Sequence, residues 1–207
     1  PLQRFDVLDN SEVVKIMLAD SHGCAIGSEN QMKCWGAGGY GKTGHENSAD
    51  YGDEELEMGQ YLMFTDVGSG LTFSEVSGGE DSTCALLNDA SVKCWGRNFV
   101  LGSSAGVDGS GAKGDGYQEM GSNVDKVKLG SWDASAIDSG GMHTCAIVND
   151  SSSESVVCWG DNDAGQLGLG NTDVMGDTDA DLVGGELPHV DLPDRGQGIS
   201  QIATGST

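Results

Sequence analysis

The sequence predicts an all-β protein assembled from repeats, and two patterns support this prediction. A phrase of two short apolar runs, each holding one cysteine and the second ending in Trp-Gly, occurs three times in the 207 residues. The first cysteines of the copies are 60 and 61 residues apart, and self-similarity at a period of this size indicates a repeat architecture. The apolar runs alternate with turns rich in Gly, Asn and Asp, and no segment sustains a helical period over three turns.

Each copy contains four short runs with the apolar pattern of a β-strand. In chain order, the first run precedes a glycine turn, the next ends at a Val or Ile, and the last two hold the cysteines. The two runs without cysteine are called the fourth and the third run, respectively. The third runs end at residues that keep the repeat spacing, namely Ile16, Val76, Ile137 and Ile202. The fourth runs are residues 5–8, 63–67, 124–129 and 190–192. Four antiparallel strands form the blade of a β-propeller, in which blades pack face to face around an axis.

The period therefore divides the chain into blades within one repeat domain over residues 1–207. Repeat 1 covers about residues 13–67, repeat 2 about 73–129 and repeat 3 about 134–192, and a fourth repeat starts at 199–207. About three blades form a partial or open propeller that is expected to be part of a longer array. We expect its end faces to be covered by more of the same polypeptide or by a neighbouring copy, because bare apolar faces are rare on soluble monomers.

One tryptophan follows the second cysteine of every copy. These residues are Trp35, Trp95 and Trp159. Large aromatic side chains at equivalent positions are expected to supply the apolar packing between blades, and to be equally buried. A fourth tryptophan, Trp132, lies in a turn-like Gly-Ser-Trp-Asp sequence and is expected to be more exposed.

The six cysteines form three pairs, each spanning the connection between two predicted neighbouring strands. The pairs are Cys24 with Cys34, Cys84 with Cys94, and Cys145 with Cys158. Cross-strand neighbours come within disulfide distance, so disulfides within each repeat are the favoured interpretation, and they indicate an oxidising compartment. Free buried cysteines are the first alternative. A zinc site is the second, although no C-x-x-C is present and Ser82 replaces the histidine of the other two copies.

The charge balance excludes several classes of partner. Thirty-three acidic residues against ten basic ones give a net charge of -23. Nucleic acid and anionic membrane surfaces both attract basic proteins, so neither is an expected partner. No apolar run approaches the roughly 18 residues of a membrane-spanning helix, so no membrane insertion is predicted. An acidic surface suits a soluble protein in a cation-rich medium, or one with a basic partner.

A long excursion follows each Trp-Gly. Its shared kernel is Gly-Asp, four further residues, and then Met or Leu, beginning at residues 52, 114 and 176. We expect the aspartate to cap a turn and the Met or Leu to fill the edge of the blade. Residues 36–43 before the first excursion match the phosphate-loop pattern G-x-x-x-x-G-K-[ST], but no helical pattern follows them. The repeat explains the glycines better, because Gly36, Gly41 and Gly44 align with Gly160, Gly165 and Gly168.

Two further motifs are candidate sites. Asp177, Asp179 and Asp181 alternate as in a calcium loop, which makes calcium a possible cofactor. The glycine and the final glutamate of such a loop are missing, so a solvated loop is favoured and no cofactor is predicted. Asn149 begins an N-glycosylation sequon in the predicted hairpin turn of the third copy. No catalytic arrangement can be singled out among the many acids, so no enzyme is predicted.

The third copy resembles a known repeat. It contains HTCAI at 143–147, VVCWGDN at 156–162 and GQLGLG at 165–170, which resemble regulator of chromosome condensation repeats, in particular a secreted variety with cysteines. The resemblance implies a β-propeller, seven-bladed in the founding member, which is a nucleotide-exchange factor for a small GTPase. The second copy departs from this pattern at 80–83 and 97–102. A fold of this kind hosts many functions, so function must be argued from the residues.

These observations predict a non-enzymatic, secreted structural or interaction module that serves in scaffolding, adhesion or filament assembly outside the cell. Its expected partners are proteins, either copies of itself or the rest of a longer chain. One alternative is a module that binds glycans or calcium through blade loops, and another is an exchange-factor-like propeller. Non-repeating polar residues clustered on one rim would favour ligand binding, whereas exposed blade edges would favour the scaffold.

Overall fold

The computed structural model describes residues 7–8, 11–97, 101–103, 111–150, 153–176, 178, 181, 186–192 and 198–206. Within these residues, ten β-strands form three antiparallel sheets, and the predicted all-β class is confirmed. Short 3-10 turns occur at Gly39–Gly41, Gly59–Tyr61 and Gly121–Asn123. No helix among the described residues is long and apolar enough to cross a membrane.

Each sheet is one blade. Blade 1 contains β1 (Val13–Leu18), β2 (His22–Gly27) and β3 (Met32–Gly36). Blade 2 contains β4 (Phe73–Gly78), β5 (Ser82–Leu87), β6 (Val92–Arg97) and β7 (Ala112–Lys113). Blade 3 contains β8 (Asp133–Ser139), β9 (His143–Asn149) and β10 (Glu154–Gly160). Strands follow one another in sequence order across every sheet, so each blade is an antiparallel meander.

The fourth predicted strand of each blade is interrupted, which corrects the sequence prediction. Residues 63–67, 124–129 and 190–192 are not continuous strands. Each is held to the blade at an equivalent place, where the backbone N–H groups of Thr65, Val127 and Val190 donate to the carbonyl oxygens of Met32, Val92 and Val156. The other half of the outer position is filled by Tyr51, β7 and Met175, which pair with Gly36, β6 and Gly160. The excursion therefore separates the two halves of one outer strand.

Two terminal runs also differ from the prediction. Val7 and Leu8 form a turn, and residues 5 and 6 lie outside the described part of the chain. Residues 199–202 are not assigned to a strand. This last segment nevertheless lies along blade 3, because the N–H of Ile199 donates to Glu154 at 2.6 Å and the N–H of Thr204 donates to Asp138 at 2.6 Å.

The first strands of the blades lie next to one another. The N–H of Ile137 in β8 donates to the Glu75 carboxylate in β4 at 3.1 Å, and the N–H of Ser139 donates to the Ser77 hydroxyl at 2.7 Å. Side chains thus satisfy backbone groups on an edge that no strand pairs. β1, β4 and β8 also carry the same register shift near their beginnings, as expected for a bulge that bends the strand.

The hydrophobic core lies between blades. One cluster joins blade 1 to blade 2 and includes Met17, Ile26, Val76 and Trp95, and a second joins blade 2 to blade 3 around Leu86, Ile137 and Trp159. A single sheet cannot bury an apolar face by itself, so each blade depends on its neighbour for stability.

Candidate functional site

Each buried tryptophan packs on the glycine turn of the preceding blade. Trp95 in blade 2 is fully buried, and its Nε1 donates to the carbonyl oxygen of Lys42 in the turn after blade 1 at 3.0 Å. A Cβ added at Gly44, which has a φ of +72°, would lie 3.0 Å from that nitrogen. Trp159 in blade 3 also packs on such a turn, since a Cβ at Gly102 would lie 2.7 Å from its ring, but its buried Nε1 has no hydrogen-bond partner among the described residues. A side chain in the turn would force the blades apart.

The prediction that the three tryptophans are equally buried is wrong. Trp95 and Trp159 are 0% exposed, whereas Trp35 is only half-buried. The reason is that no described residues place a glycine turn against Trp35 in the way that residues 41–45 cover Trp95. Trp132 is also half-buried and packs against the core, so it is more exposed than Trp95 and Trp159 but belongs to the same exposure class as Trp35.

A buried hydrogen-bond chain crosses the junction between blades 1 and 2. The Thr83 hydroxyl donates to the carbonyl oxygen of Lys42 at 2.7 Å, so its oxygen accepts the Nε2 proton of His22, also at 2.7 Å. Nδ1 of His22 is buried without a hydrogen-bond partner. Burial, and secondarily the Lys42 ammonium, lower the pKa of His22 to about 4. The histidine is therefore neutral at physiological pH and is a structural connector.

Lys42, the lysine of the phosphate-loop pattern, also connects the blades. Its Nζ donates to the Glu80 carbonyl at 3.0 Å and pairs with the Asp81 carboxylate at 3.2 Å. Arg97 pairs with the second oxygen of Asp81 at 3.2 Å. The Lys42 side chain is 6% exposed, so its ammonium is occupied and no ligand phosphate is required to explain it.

The excursions are capped by a different acid from the one predicted. Glu57 accepts from the N–H groups of Gly52 and Glu54, and Glu119 accepts equivalently from Gly114 and Gly116. The predicted caps, Asp53 and Asp115, do not make these bonds. A carboxylate five residues after the glycine reaches back across the loop, which the shorter aspartate beside the glycine does not.

The methionine of the excursion fills the edge of the blade where a neighbour is present. Met120 is 4% exposed and packs beside Trp95 in the core between blades 1 and 2. Its equivalent, Met58, lies against Gly52 beside Trp35 and is half-buried. In blade 2, Met120 and Trp95 therefore form one socket, which the turn of blade 1 fills.

Two buried lysines were missed by the sequence reasoning. Lys93 is 4% exposed, and its Nζ donates to the carbonyl oxygens of Val67 and Gly121 at 2.9 and 3.0 Å. Lys33 donates to the Gly59 carbonyl at 2.8 Å and lies 4.4 Å from the ring centroid of Phe64. Burial lowers the pKa of Lys93. The recurrence of lysine before the second cysteine was the available signal, but a lysine alternating with apolar residues is typical of a solvent-facing position.

The cysteines lie opposite one another on the two central strands of each blade. Bonds join Cys24 to Cys34, Cys84 to Cys94 and Cys145 to Cys158, with Cα atoms 4.1 Å apart in every pair. The register of both strands places the pair directly across the hairpin, which explains why the spacing can lengthen in the third copy without loss of the pairing.

The remaining candidate residues are only partly described by the structure. Asp177 and Asp179 lie outside the described residues, and Asp181 accepts from the N–H and hydroxyl of Thr178. Asn149 is the last residue of β9, paired with Glu154, and is half-buried, so it precedes the turn in which it was predicted. Among the described residues, no group of three or more His, Cys, Asp or Glu side chains could hold a metal ion.

Blade 1 presents an open apolar face, which we call the leading face and define as Val14, Ile16, Leu18, Trp35 and Met58. The three β1 side chains are 51%, 62% and 74% exposed. A Cβ at Gly23 would contact both Leu18 and Trp35, so these side chains form one surface. In blades 2 and 3 the residues equivalent to Ile16 are Val76 and Ile137, which are buried against the preceding blade.

The opposite end presents an open turn, the trailing turn, at residues 165–169. In blade 1 the equivalent turn at 41–45 is entirely buried beneath blade 2. In blade 3, residues 165, 166, 168 and 169 are exposed or half-exposed. The two end blades therefore present complementary surfaces. Blade 1 has a socket that no described turn fills, and blade 3 has an exposed turn of the type that fills such a socket.

Comparison with known proteins identifies the repeat. Residues 73–100, which contain β4, β5 and β6, match the sequence profile of the "Regulator of chromosome condensation (RCC1) repeat". Blades 1 and 3 repeat the same strands, bulge and bonds. The second repeat of this chain is therefore similar to the RCC1 repeat. The resemblance noted in the sequence is thereby confirmed.

Relatives of known sequence are distant. The human and mouse proteins named "E3 ubiquitin-protein ligase HERC2" are each 24% identical to this chain over 233 residues. The match covers 94% of this chain and 4% of the relative, so the chain spans a small part of the curated relatives that it matches.

Solved structures share the fold of the RCC1 repeats. Human WBSCR16 superposes with a TM-score of 0.61 at 16% identity, covering 94% of this chain and 43% of that one. Prp20p from Saccharomyces cerevisiae, whose structure was described with its binding to Gsp1p and histones, superposes with a TM-score of 0.59 at 17% identity. That match covers 87% of this chain and 39% of the yeast protein. The predicted propeller-type blades are confirmed, and the described blades do not close a ring.

Proposed function

We propose that this chain is a non-enzymatic scaffold that works in an oxidising, extracellular environment and binds proteins through its blade faces. The leading face carries this proposal. Ile16 is exposed where its equivalents Val76 and Ile137 are buried, and large apolar patches on soluble proteins mark interaction sites. Trp35 is half-buried where Trp95 and Trp159 are fully buried. Three disulfides per 207 residues support the oxidising compartment.

The partner that best fits the leading face is a blade with a glycine turn, supplied by another copy of the chain. At the junction of blades 1 and 2, such a turn accepts the Trp95 N–H and the Thr83 hydroxyl on one backbone carbonyl. The trailing turn of a second copy offers the same backbone geometry. Heterologous contacts of this kind generate open chains or rings of copies.

Light scattering on the 207-residue chain at micromolar concentration tests the proposal. We expect association, because both ends of the chain expose complementary surfaces. The double variant Ile16→Asp, Leu18→Asp places charges on two side chains that are largely exposed, so it should abolish association without unfolding the blades.

Tyr117→Asp is the matched control, since Tyr117 is 84% exposed on blade 2 and lies outside the leading face. It should associate as the unmodified chain does. A folded, monomeric unmodified chain, or equal association of the double variant, would show that the leading face is not the binding surface.

A further inference from the structure

A cavity of about 540 Å³ opens on the rim between blades 2 and 3, away from the leading face and the trailing turn. Its walls are the β5–β6 turn at 89–91 and the connection from blade 2 to blade 3 at 125–133. Val127 and Leu129 are buried beneath it and fix this connection to the core. The cavity has the size of ordinary small-molecule sites, which measure roughly 300–1,000 Å³.

The side chains around this rim cavity depart from the repeat. Val127 binds the blade through the same backbone bond as Thr65 in blade 1, so the flanking residues Lys126 and Lys128 stand where blade 1 has Phe64 and Asp66. Blade 3 has His189 and Asp191 at these positions. Blade architecture does not require two lysines here, and they are two of only ten basic residues in the chain.

Trp132 adds an aromatic wall to the rim cavity. Its ring is half-buried and is held by His189, with centroids 4.6 Å apart and an angle of 55° between the ring planes. Phe73 and Ala134 are equivalent residues, because their N–H groups donate to the β2–β3 and β5–β6 turns. Trp132, two residues before Ala134, is therefore equivalent to Leu71, two residues before Phe73. A rigid indole at the mouth of a polar cavity offers an apolar surface to a ligand.

Charged hydrogen-bonding groups surround this indole. Asp89 and Lys126 pair at 2.7 Å across the cavity wall. Desolvation raises the pKa of Asp89, but hydrogen bonds from Lys126 and Ser91 outweigh it and lower the pKa to about 2. The Lys128 ammonium and the Asp133 carboxylate make no ion pair with any described residue, and both line the cavity. Donors and acceptors therefore converge on one space.

We infer that the rim cavity binds a neutral pyranose unit of a glycan. The C–H face of a pyranose packs on an indole, and its hydroxyl groups both donate to carboxylates and accept from ammonium groups. Three carboxylates, Asp89, Asp125 and Asp133, accompany two ammonium groups in the lining, so an anionic sugar would gain no net attraction. A mixed set of donors and acceptors beside an aromatic face suits a neutral polyhydroxylated ring better than an extended apolar peptide.

An array of neutral oligosaccharides built from glucose, galactose, mannose and N-acetylglucosamine is the probe. We expect the chain to bind at least one member, with affinity reduced at least tenfold by Trp132→Ala. Since Trp132 also packs on the core, Lys128→Ala provides a second variant, which removes a half-buried lysine from the cavity lining and should reduce affinity severalfold. Tyr117→Ala, an exposed aromatic of the same blade, should bind normally.

Thermal unfolding followed by circular dichroism verifies that each variant is folded. Absence of binding to every neutral oligosaccharide would overturn the inference. So would binding that Trp132→Ala and Lys128→Ala both leave unchanged, or a preference for peptides over all saccharides. None of these outcomes depends on association through the leading face, which is measured separately.

Discussion

A neutral histidine holds the first junction together at the scale of single residues. His22 donates to Thr83, which donates in turn to the Lys42 carbonyl, and Trp95 donates to the same oxygen. The copies do not share this chain, because Ser82 occupies the histidine position in blade 2. His143 occupies it in blade 3, where burial again lowers the pKa. A buried imidazole with an unpartnered Nδ1 accepts a second proton only at a large cost.

The stability of the folded state should therefore decrease as the pH is lowered, because His22 binds a proton more readily in the unfolded state. The unfolded histidine binds a proton below its ordinary pKa of 6.5, whereas the folded one does so only below about 4. The folded state thus binds fewer protons, and its stability decreases as the pH falls from 6.5 to 4, by up to about 3 kcal/mol. Lys42 favours the neutral form and Asp81 opposes it.

Urea unfolding at pH 7 and pH 4.5 measures this dependence. His22→Gln keeps an N–H donor toward Thr83 but does not titrate. The unfolding free energy of the unmodified chain should therefore decrease more between pH 7 and pH 4.5 than that of the variant. An unchanged difference would mean that His22 does not couple folding to protonation. Other titrating groups are common to both proteins and cancel.

At the scale of structural elements, neighbouring blades are joined by the contact between a tryptophan and the glycine turn of the preceding blade. Trp95→Ala removes a fully buried ring and its hydrogen bond to the turn, and should cost about 3–5 kcal/mol of unfolding free energy. Trp35→Ala is the matched control, because it removes the same residue from a socket that no described turn fills, and should cost about half as much or less. Chemical denaturation of both variants gives the comparison, and equal losses would contradict the socket.

The sequence predicts the central strands of each blade well because their period, cysteines and turns are local signals. It does not predict that the outer strand is divided by the excursion, since hydrogen bonds to Met32 and Val92 are decided by tertiary packing. It also misses Glu57 and Glu119 as caps, because many acids compete for that role in so acidic a chain. Unequal burial of Trp35 depends on the neighbouring blade, and no pattern within one repeat contains that information.

The candidate sites also differ in how far the sequence predicts them. The sequence singles out the paired cysteines, because a repeated spacing across a predicted hairpin has a geometric meaning. It does not predict which residues line the rim cavity, because the walls come from residues about 40 positions apart in the chain. Lys126, Lys128 and Trp132 become noticeable only when the structure aligns the blades and shows that these positions vary. Departures from a repeat are therefore informative after the fold is known.

At the scale of the whole molecule, charge opposes the contact that the blade faces favour. Each chain has a net charge of -23, so two copies approaching end to end repel one another at long range. The leading face itself is apolar, and apolar contacts do not weaken when ions are added. Screening reduces the repulsion over a Debye length of about 10 Å at 0.1 M salt and about 30 Å at 0.01 M.

Association should therefore strengthen as salt is added. Light scattering at about 0.01 M and about 0.3 M sodium chloride should show a higher mass at the higher concentration, because the screening length becomes shorter than the separation of most surface charges. The Ile16→Asp, Leu18→Asp variant should remain monomeric at both concentrations, since its defect lies in the contact and not in the long-range field. Association that weakens with salt would instead indicate contacts between opposite charges, and would require a binding surface other than the leading face.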